Sequence, residues 1–138
     1  GPNHAEALDR LDLIADTYLS VATPIQLALP KILDLSTQIR DRILARCRSN
    51  LDHLRAATAN SPIQALHVEG GWYAILQVPR TRSEEQWALD LLSRHNVLVQ
   101  PGFFFDFESE AFLVVSLLTE STTLATGLSR LLTLAPGP

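Results

Sequence analysis

A short segment of strand-like composition lies between two stretches of helical periodicity, and it restricts the folds open to this chain. In residues 63–78 the apolar spacing typical of a helix stops, and β-branched and aromatic side chains gather around Gly70-Gly71. This composition predicts a strand or a hairpin. The glycine pair admits two explanations: a turn or bulge, which is favoured, or a place where the backbone approaches a ligand closely. The chain therefore combines helices with a sheet.

Two helices are predicted before this segment. Residues 5–18 place apolar side chains on one helical face and charged ones on the other. Thr23 and Pro24 then have the pattern of an N-cap followed by a first-turn proline, which predicts a long second helix ending near Asn60. Because proline removes an internal hydrogen bond, we expect a kink or a break near Pro30.

A third helix is predicted by the capping-box pattern that Ser83 forms with Gln86, and Asn96 is expected to end it. Its predicted buried side consists of Trp87, Leu89, Leu91 and Leu92.

Short apolar segments at residues 97–100 and 111–118 predict two more strands, and residues 121–134 predict a closing helix. The order of elements predicts an α/β fold, more closely an α+β two-layer sandwich, with a small mixed or antiparallel sheet packed against helices and a long N-terminal helix. The length of 138 residues suits a single domain over residues 1–138. Residues 135–138 have the composition of a flexible tail.

Charge and composition argue against several classes of function. A formal net charge of -4 provides no positive surface for a nucleic acid. The apolar runs are strand-sized and no signal peptide is recognisable, so we expect a cytoplasmic protein that does not enter a membrane. The four histidines have no partner at ligand spacing, and the lone Cys47 excludes an internal disulfide, so no metal site is expected.

An unusual aromatic run follows Pro101-Gly102 and includes Phe103 and Phe104. Two interpretations are equally open: a hydrophobic plug under a loop, or an exposed segment that lines a site. The carboxylates that follow it are expected to be solvated, with no role in acid–base catalysis.

Several of these segments occur in an order that resembles a known family. The chain resembles the C-terminal small domain of a class I/II, fold-type-I pyridoxal-phosphate-dependent aminotransferase. The segments that carry the resemblance are Thr17 to Ser20, Thr23-Pro24 with Gln26, Asn50-Leu51, Gly70-Gly71-Trp72-Tyr73, Trp87-Ala88-Leu89, Val97 to Gly102, and Phe112 to Leu118.

The resemblance implies that the intact parent binds pyridoxal 5'-phosphate through a lysine upstream of this chain. Lys31 is the only lysine, and its place in the second helix differs from that of the family's Schiff-base lysine, so we expect it to be a surface residue. Val114 stands where the family usually has an arginine for the substrate carboxylate. No residue of this chain is therefore expected to be catalytic, and no cofactor is expected to bind the chain alone.

The resemblance also implies positions near the substrate and the cofactor. Trp72, Tyr73, Phe103 and Phe104 are the implied substrate-binding residues. Tyr18, Ser20 and Thr23 are implied to lie near the cofactor of a partner subunit across a dimer.

The leading hypothesis is that the chain is the small domain of an aminotransferase, which transfers an amino group between an amino acid and a 2-oxo acid. The missing large domain would be its partner, and the domain would help to close the substrate site. Without the large domain, exposed apolar surface is expected to cause homo-oligomer formation. The main alternative is a free-standing protein-interaction module with the same fold, and a ligand-binding regulatory domain ranks last.

Overall fold

A computed structural model describes residues 3–18, 21–109 and 111–135 of the chain. The chain divides into two compact units, Gly1–Arg40 and Asp41–Pro138. The long second helix runs through the division.

The first unit consists of helix α1, His4–Thr17, and the beginning of helix α2, Thr23–Thr58. Pro30 lies inside α2 and the helix is not broken there. The carbonyl of Ala22 accepts the amides of Ile25 and Gln26, so Ala22 takes the N-cap position predicted for Thr23. Large apolar side chains of this unit are exposed, namely Leu8, Leu11, Leu13, Ile14, Val21, Ile25, Leu27, Leu29, Ile32, Leu33, Leu35 and Ile39.

The second unit is built on a four-stranded antiparallel sheet in the order β1-β2-β4-β3. Its strands are β1 at Gln64–Ala65, β2 at Tyr73–Gln77, β3 at Gln100–Pro101 and β4 at Phe112–Ser116. The α/β fold with a small antiparallel sheet is confirmed. The strand predicted at residues 97–100 is wrong in position, because only its last residue joins β3.

The hairpin predicted around Gly70-Gly71 is present, since β1 pairs with β2. Gly71 has a φ of +79°, a left-handed conformation that costs little only for glycine. A Cβ built at Gly70 or Gly71 would have no atom within 4 Å beyond the neighbouring residues. A turn therefore explains why glycine is found at position 71, because the backbone there has a positive φ.

Helix α3, Glu84–His95, begins with the predicted capping box: the Ser83 hydroxyl accepts the Gln86 amide, and the Gln86 side chain accepts the Ser83 amide. Asn96 ends it with a left-handed φ of 52°.

The buried side of α3 is narrower than predicted. Trp87 and Leu91, one turn apart, are fully buried, whereas Leu89 and Leu92 are exposed. At 100° per residue, Leu89 and Leu92 lie well over 90° around the helix from Trp87. The prediction that Leu89 and Leu92 are buried relied only on their apolar character and is wrong.

Helix α4, Ser121–Leu134, closes the fold where it was predicted. Its Leu124, Leu128 and Leu131 join the core that contains Trp87 and Leu54. Ala135 also packs against this core, whereas residues 136–138 of the predicted tail lie outside the described residues.

Asn50 of α2 stabilises the turn between β4 and α4 through two side-chain hydrogen bonds. It is 1% exposed, and its side-chain amide donates to the carbonyl of Leu117 at 2.8 Å and to that of Thr119 at 2.7 Å. A buried amide needs such partners, because an unpaired one costs free energy.

No helix within the described part of the chain has the length and apolar character needed to span a bilayer.

Candidate functional site

The two faces of the sheet differ in burial. Side chains alternate along a strand, so Ala74 and Leu76 of β2 point to one face and Tyr73 and Ile75 to the other. Ala74 and Leu76 are buried in the core, whereas Tyr73 is half exposed. The register sets Ile75 opposite Val114, which places Val114 on the same face as Tyr73. This more accessible face is the candidate site.

Three exposed aromatic rings, one of them Tyr73 of this face, lie in a row. The ring centroids of Trp72 and Tyr73 are 6.4 Å apart, and those of Tyr73 and Phe105 are also 6.4 Å apart. Such separations are typical of favourable aromatic contacts. We call Trp72, Tyr73 and Phe105 the aromatic wall. It contains two of the four residues implied as substrate-binding.

The other two, Phe103 and Phe104, form a separate edge-to-face pair with centroids 4.7 Å apart. They belong to a 3₁₀ turn at Gly102–Phe105, and Phe103, Phe104 and Phe105 are all exposed. These three rings therefore do not form a hydrophobic plug, and the interpretation that the run lines a site stays a prediction. Phe105 was missed because the sequence does not show which ring of the run turns towards Tyr73.

A cavity of about 840 Å³ adjoins the aromatic wall beside β4. Tyr73 and Phe105 line it together with Val114 and Ser116, and α4 contributes Thr122, Thr126 and Arg130 among others. Its volume is in the range of small-molecule sites. Arg130 is the only lysine or arginine among its lining residues, and its guanidinium donates to the carbonyl of His95 at 3.0 Å.

The position at which the family usually has a carboxylate-binding arginine is apolar in this chain. Val114 is buried and apolar. Arg82 is held by Asp90 at 2.7 Å, and its guanidinium lies 4.7 Å from the centre of the Trp87 ring. Both contacts are with residues of α3, and Arg80 is exposed in the same loop. Arg82 therefore fastens the loop to α3.

Glu84, the first residue of α3, is a buried carboxylate that sequence patterns did not identify. It is 2% exposed, and it accepts the Phe103 amide at 2.9 Å and the Phe112 amide at 2.7 Å. The only sequence signal was its place just after the capping serine, where an acidic residue normally interacts with the helix dipole. In this structure Glu84 joins three elements: α3, the 3₁₀ turn and β4.

A second carboxylate, Glu120, caps α4 near the cavity. The Thr122 hydroxyl and the amides of Thr122 and Thr123 donate to it. These hydrogen bonds, with the one from the Thr122 hydroxyl the largest cause, lower the pKa of Glu120 from 4.5 to about 2. Glu120 is therefore ionised at neutral pH, and its carboxylate caps the N-terminus of α4.

The residues implied to lie near a partner's cofactor belong to the first unit. Tyr18 follows α1 and Thr23 is the first residue of α2, and both side chains are exposed. Ser20 lies outside the described residues. The role of all three stays a prediction.

The residues present do not fit the attachment of pyridoxal phosphate. Attachment requires a lysine amine, and Lys31, the only lysine in the sequence, is exposed on α2 in the first unit. Neither the aromatic wall nor the cavity contains a lysine. Across residues 3–18, 21–109 and 111–135, no three His, Cys, Asp or Glu side chains are grouped so that they could hold a metal ion.

Several solved structures share this fold. The methionine aminotransferase YbdL from Escherichia coli superimposes with a TM-score of 0.70 at 24% identity, over 87% of this chain and 32% of that protein. The aspartate aminotransferase from Thermotoga maritima gives 0.71 at 18% identity, over 88% and 31%. An aminotransferase from Mycobacterium tuberculosis gives 0.65 at 22% identity, over 72% and 27%. At these identities the likeness shows the fold alone, and the chain spans between 27% and 32% of each protein's length.

No curated protein sequence matches the chain significantly. The sequence profile of the family "Aminotransferase class I and II", however, matches residues 3–131, which is nearly the whole chain. The chain therefore belongs to the class I and II aminotransferase family.

Proposed function

We propose that this chain is the C-terminal small domain of a pyridoxal-phosphate-dependent aminotransferase and that it supplies one wall of the substrate site. The family implies pyridoxal phosphate as the cofactor of the intact enzyme. The missing large domain would supply the lysine that binds the cofactor, since this chain has no lysine outside α2.

The aromatic wall is the observation that carries this proposal. Exposed aromatic rings in contact are unusual on a free surface, because apolar area in water is costly. Two members of the aromatic wall, Tyr73 and Phe105, line a cavity of small-molecule size, and Trp72 contacts Tyr73. A surface of this kind fits the role of excluding water when a second domain closes over a bound amino acid.

The contribution of this domain would be shape and desolvation. Tyr73, Phe105 and Val114 offer apolar contact, and neither Phe105 nor Val114 has an ionisable side chain. Holding the substrate carboxylate would be the task of a group outside this chain, because Val114 stands where the family usually has an arginine and Arg82 is paired with Asp90. The isolated chain is therefore expected to be inactive.

The exposed apolar residues of the first unit support a protein partner in this arrangement. Large aliphatic side chains along α1 and the beginning of α2 are accessible to water. In the proposed enzyme the large domain and a second subunit would cover them, and Tyr18, Ser20 and Thr23 would approach the partner's cofactor. The chain alone is expected to form homo-oligomers through the same surface.

Two preparations test the proposal: this chain alone, and the same chain preceded by its natural upstream sequence. Each is incubated with pyridoxal phosphate, reduced with borohydride and analysed by mass spectrometry, and transamination is measured with amino acid and 2-oxo acid pairs. We expect adduct formation and activity only in the longer protein. A stoichiometric adduct at Lys31 of the chain alone, or a longer protein without activity, would contradict the proposal.

The exposed aliphatic surface also fits the second candidate, a free-standing protein-interaction module. The two functions differ in the upstream sequence. A gene that encodes no large domain before Gly1, together with a stable complex between the chain and another protein, would favour the module.

A further inference from the structure

The position of the aromatic wall depends on how strand β3 ends. β3 pairs with β4 through Gln100 opposite Val114 and Pro101 opposite Leu113. One further step in this register would set Gly102 opposite Phe112. The chain leaves the sheet at Gly102 instead and forms the 3₁₀ turn that contains Phe105.

The Glu84 carboxylate accepts the hydrogen bond that β4 would donate to the next residue of a continued β3. Its Oε1 accepts the Phe112 amide at 2.7 Å, which a carbonyl of a continued β3 would otherwise accept. Its Oε2 accepts the Phe103 amide at 2.9 Å, one of the free amides at the start of the turn. The Glu84 carboxylate therefore ends the hydrogen-bonded pairing of β3 with β4 and also caps the 3₁₀ turn.

Gly102 is the residue that makes room for this arrangement. A Cβ at this position would lie 2.9 Å from Glu84 Oε1, 2.9 Å from the Cβ of Phe112 and 2.7 Å from Cδ2 of Phe107. These separations are too short for any side chain, so the approach of the carboxylate requires glycine.

We propose that Glu84 is a positioning residue of the aromatic wall: by ending β3 and capping the 3₁₀ turn, its carboxylate holds Phe105 beside Tyr73. The hydrogen bonds of Glu84 go to the backbone amides of Phe103 and Phe112, so it acts through the backbone of the turn. The consequence for an enzyme rests on the function proposed above, whereas the geometric claim concerns this chain alone.

The test uses isotopically labelled chain and NMR, with the substitution Glu84→Gln. Glutamine keeps one acceptor oxygen but presents an N–H group to the other amide, so one of the two hydrogen bonds must break. Glu85→Gln is the matched control, because Glu85 is the exposed neighbour on the same helix and carries the same charge. The readouts are amide exchange at Phe103 and Phe112 and the cross-relaxation between the rings of Tyr73 and Phe105.

In Glu84→Gln we expect at least one of the two amides to exchange about ten to a hundred times faster, as the loss of a charge-assisted hydrogen bond implies. The cross-relaxation between Tyr73 and Phe105 should be lost in the folded protein, whereas Glu85→Gln should resemble the wild type in both readouts. A purely stabilising role would lower the unfolding midpoint but leave the ring contact intact. That result would overturn the proposal.

If Glu84→Gln does not fold, amide exchange in the wild-type chain still tests whether Glu84 binds the two amides. The Phe103 and Phe112 amides should exchange at least about tenfold more slowly than amides of an unfolded peptide, because each is bonded to a buried acceptor. Unprotected amides would refute the arrangement. Neither readout needs cofactor or activity, so failure here is distinct from failure of the aminotransferase proposal.

Discussion

Asn50 offers a stringent test of how the turn between β4 and α4 is held. Asn50→Ala removes two hydrogen bonds, to the carbonyls of Leu117 and Thr119, from a side chain that is 1% exposed. Each bond contributes about 1 kcal/mol, and the cost rises when a buried carbonyl stays unpaired. We expect the free energy of unfolding to fall by about 2–4 kcal/mol, measured by urea denaturation followed by circular dichroism.

Two further variants separate hydrogen bonding from packing. Asn50→Asp keeps the size of the side chain but replaces its donor with an acceptor that faces two carbonyls, so it should cost at least as much as Asn50→Ala. Asn60→Ala, in an exposed turn, should change stability by less than about 0.5 kcal/mol. If both Asn50 variants remained within about 0.5 kcal/mol of the wild type, the assigned role of the side-chain amide would be wrong.

Three further predictions concern other parts of the second unit. Gly71→Ala should lower the free energy of unfolding by about 1–2 kcal/mol, because alanine is strained at a φ of +79°, whereas Gly70→Ala in the same urea assay should cost far less. Trp87→Phe should cost about 2 kcal/mol, since a fully buried ring shrinks and its indole N–H bond is lost; an unchanged urea midpoint would contradict this. Glu120 has its folded-state pKa lowered from 4.5 to about 2, with the Thr122 hydroxyl bond as the largest cause, so its stabilising effect is complete above pH 4.5 and is lost as the pH falls towards 2. The stability difference between wild type and Glu120→Gln should therefore shrink over that range, and a constant difference would argue against the assigned hydrogen bonds.

Elements with a strong local signal were predictable from the sequence. The capping box of Ser83 and Gln86 and the left-handed Asn96 at the other end of α3 are interactions within one helix turn. The turn at Gly71 is likewise a local backbone requirement. Predictions failed where the outcome depended on a distant surface: Leu89 and Leu92 are apolar but lie away from the core.

The candidate site was only partly predictable for the same reason. The family resemblance indicated Tyr73 and Trp72, and both belong to the aromatic wall. Phe105 became part of the wall because the 3₁₀ turn brings it to a residue more than thirty positions earlier in the chain. Phe103 and Phe104, although adjacent in sequence, form a separate pair.

The sequence by itself determined the types of the elements, their order and the family, because periodicity, caps and turns depend on residues a few positions apart. Only the tertiary structure decided the roles of Glu84 and Asn50. Glu84 bonds to amides 19 and 28 residues away, and Asn50 bonds to carbonyls 67 and 69 residues away. No local pattern encodes such pairs. The role of a buried carboxylate or amide depends on which unpaired backbone groups the folded chain brings next to it.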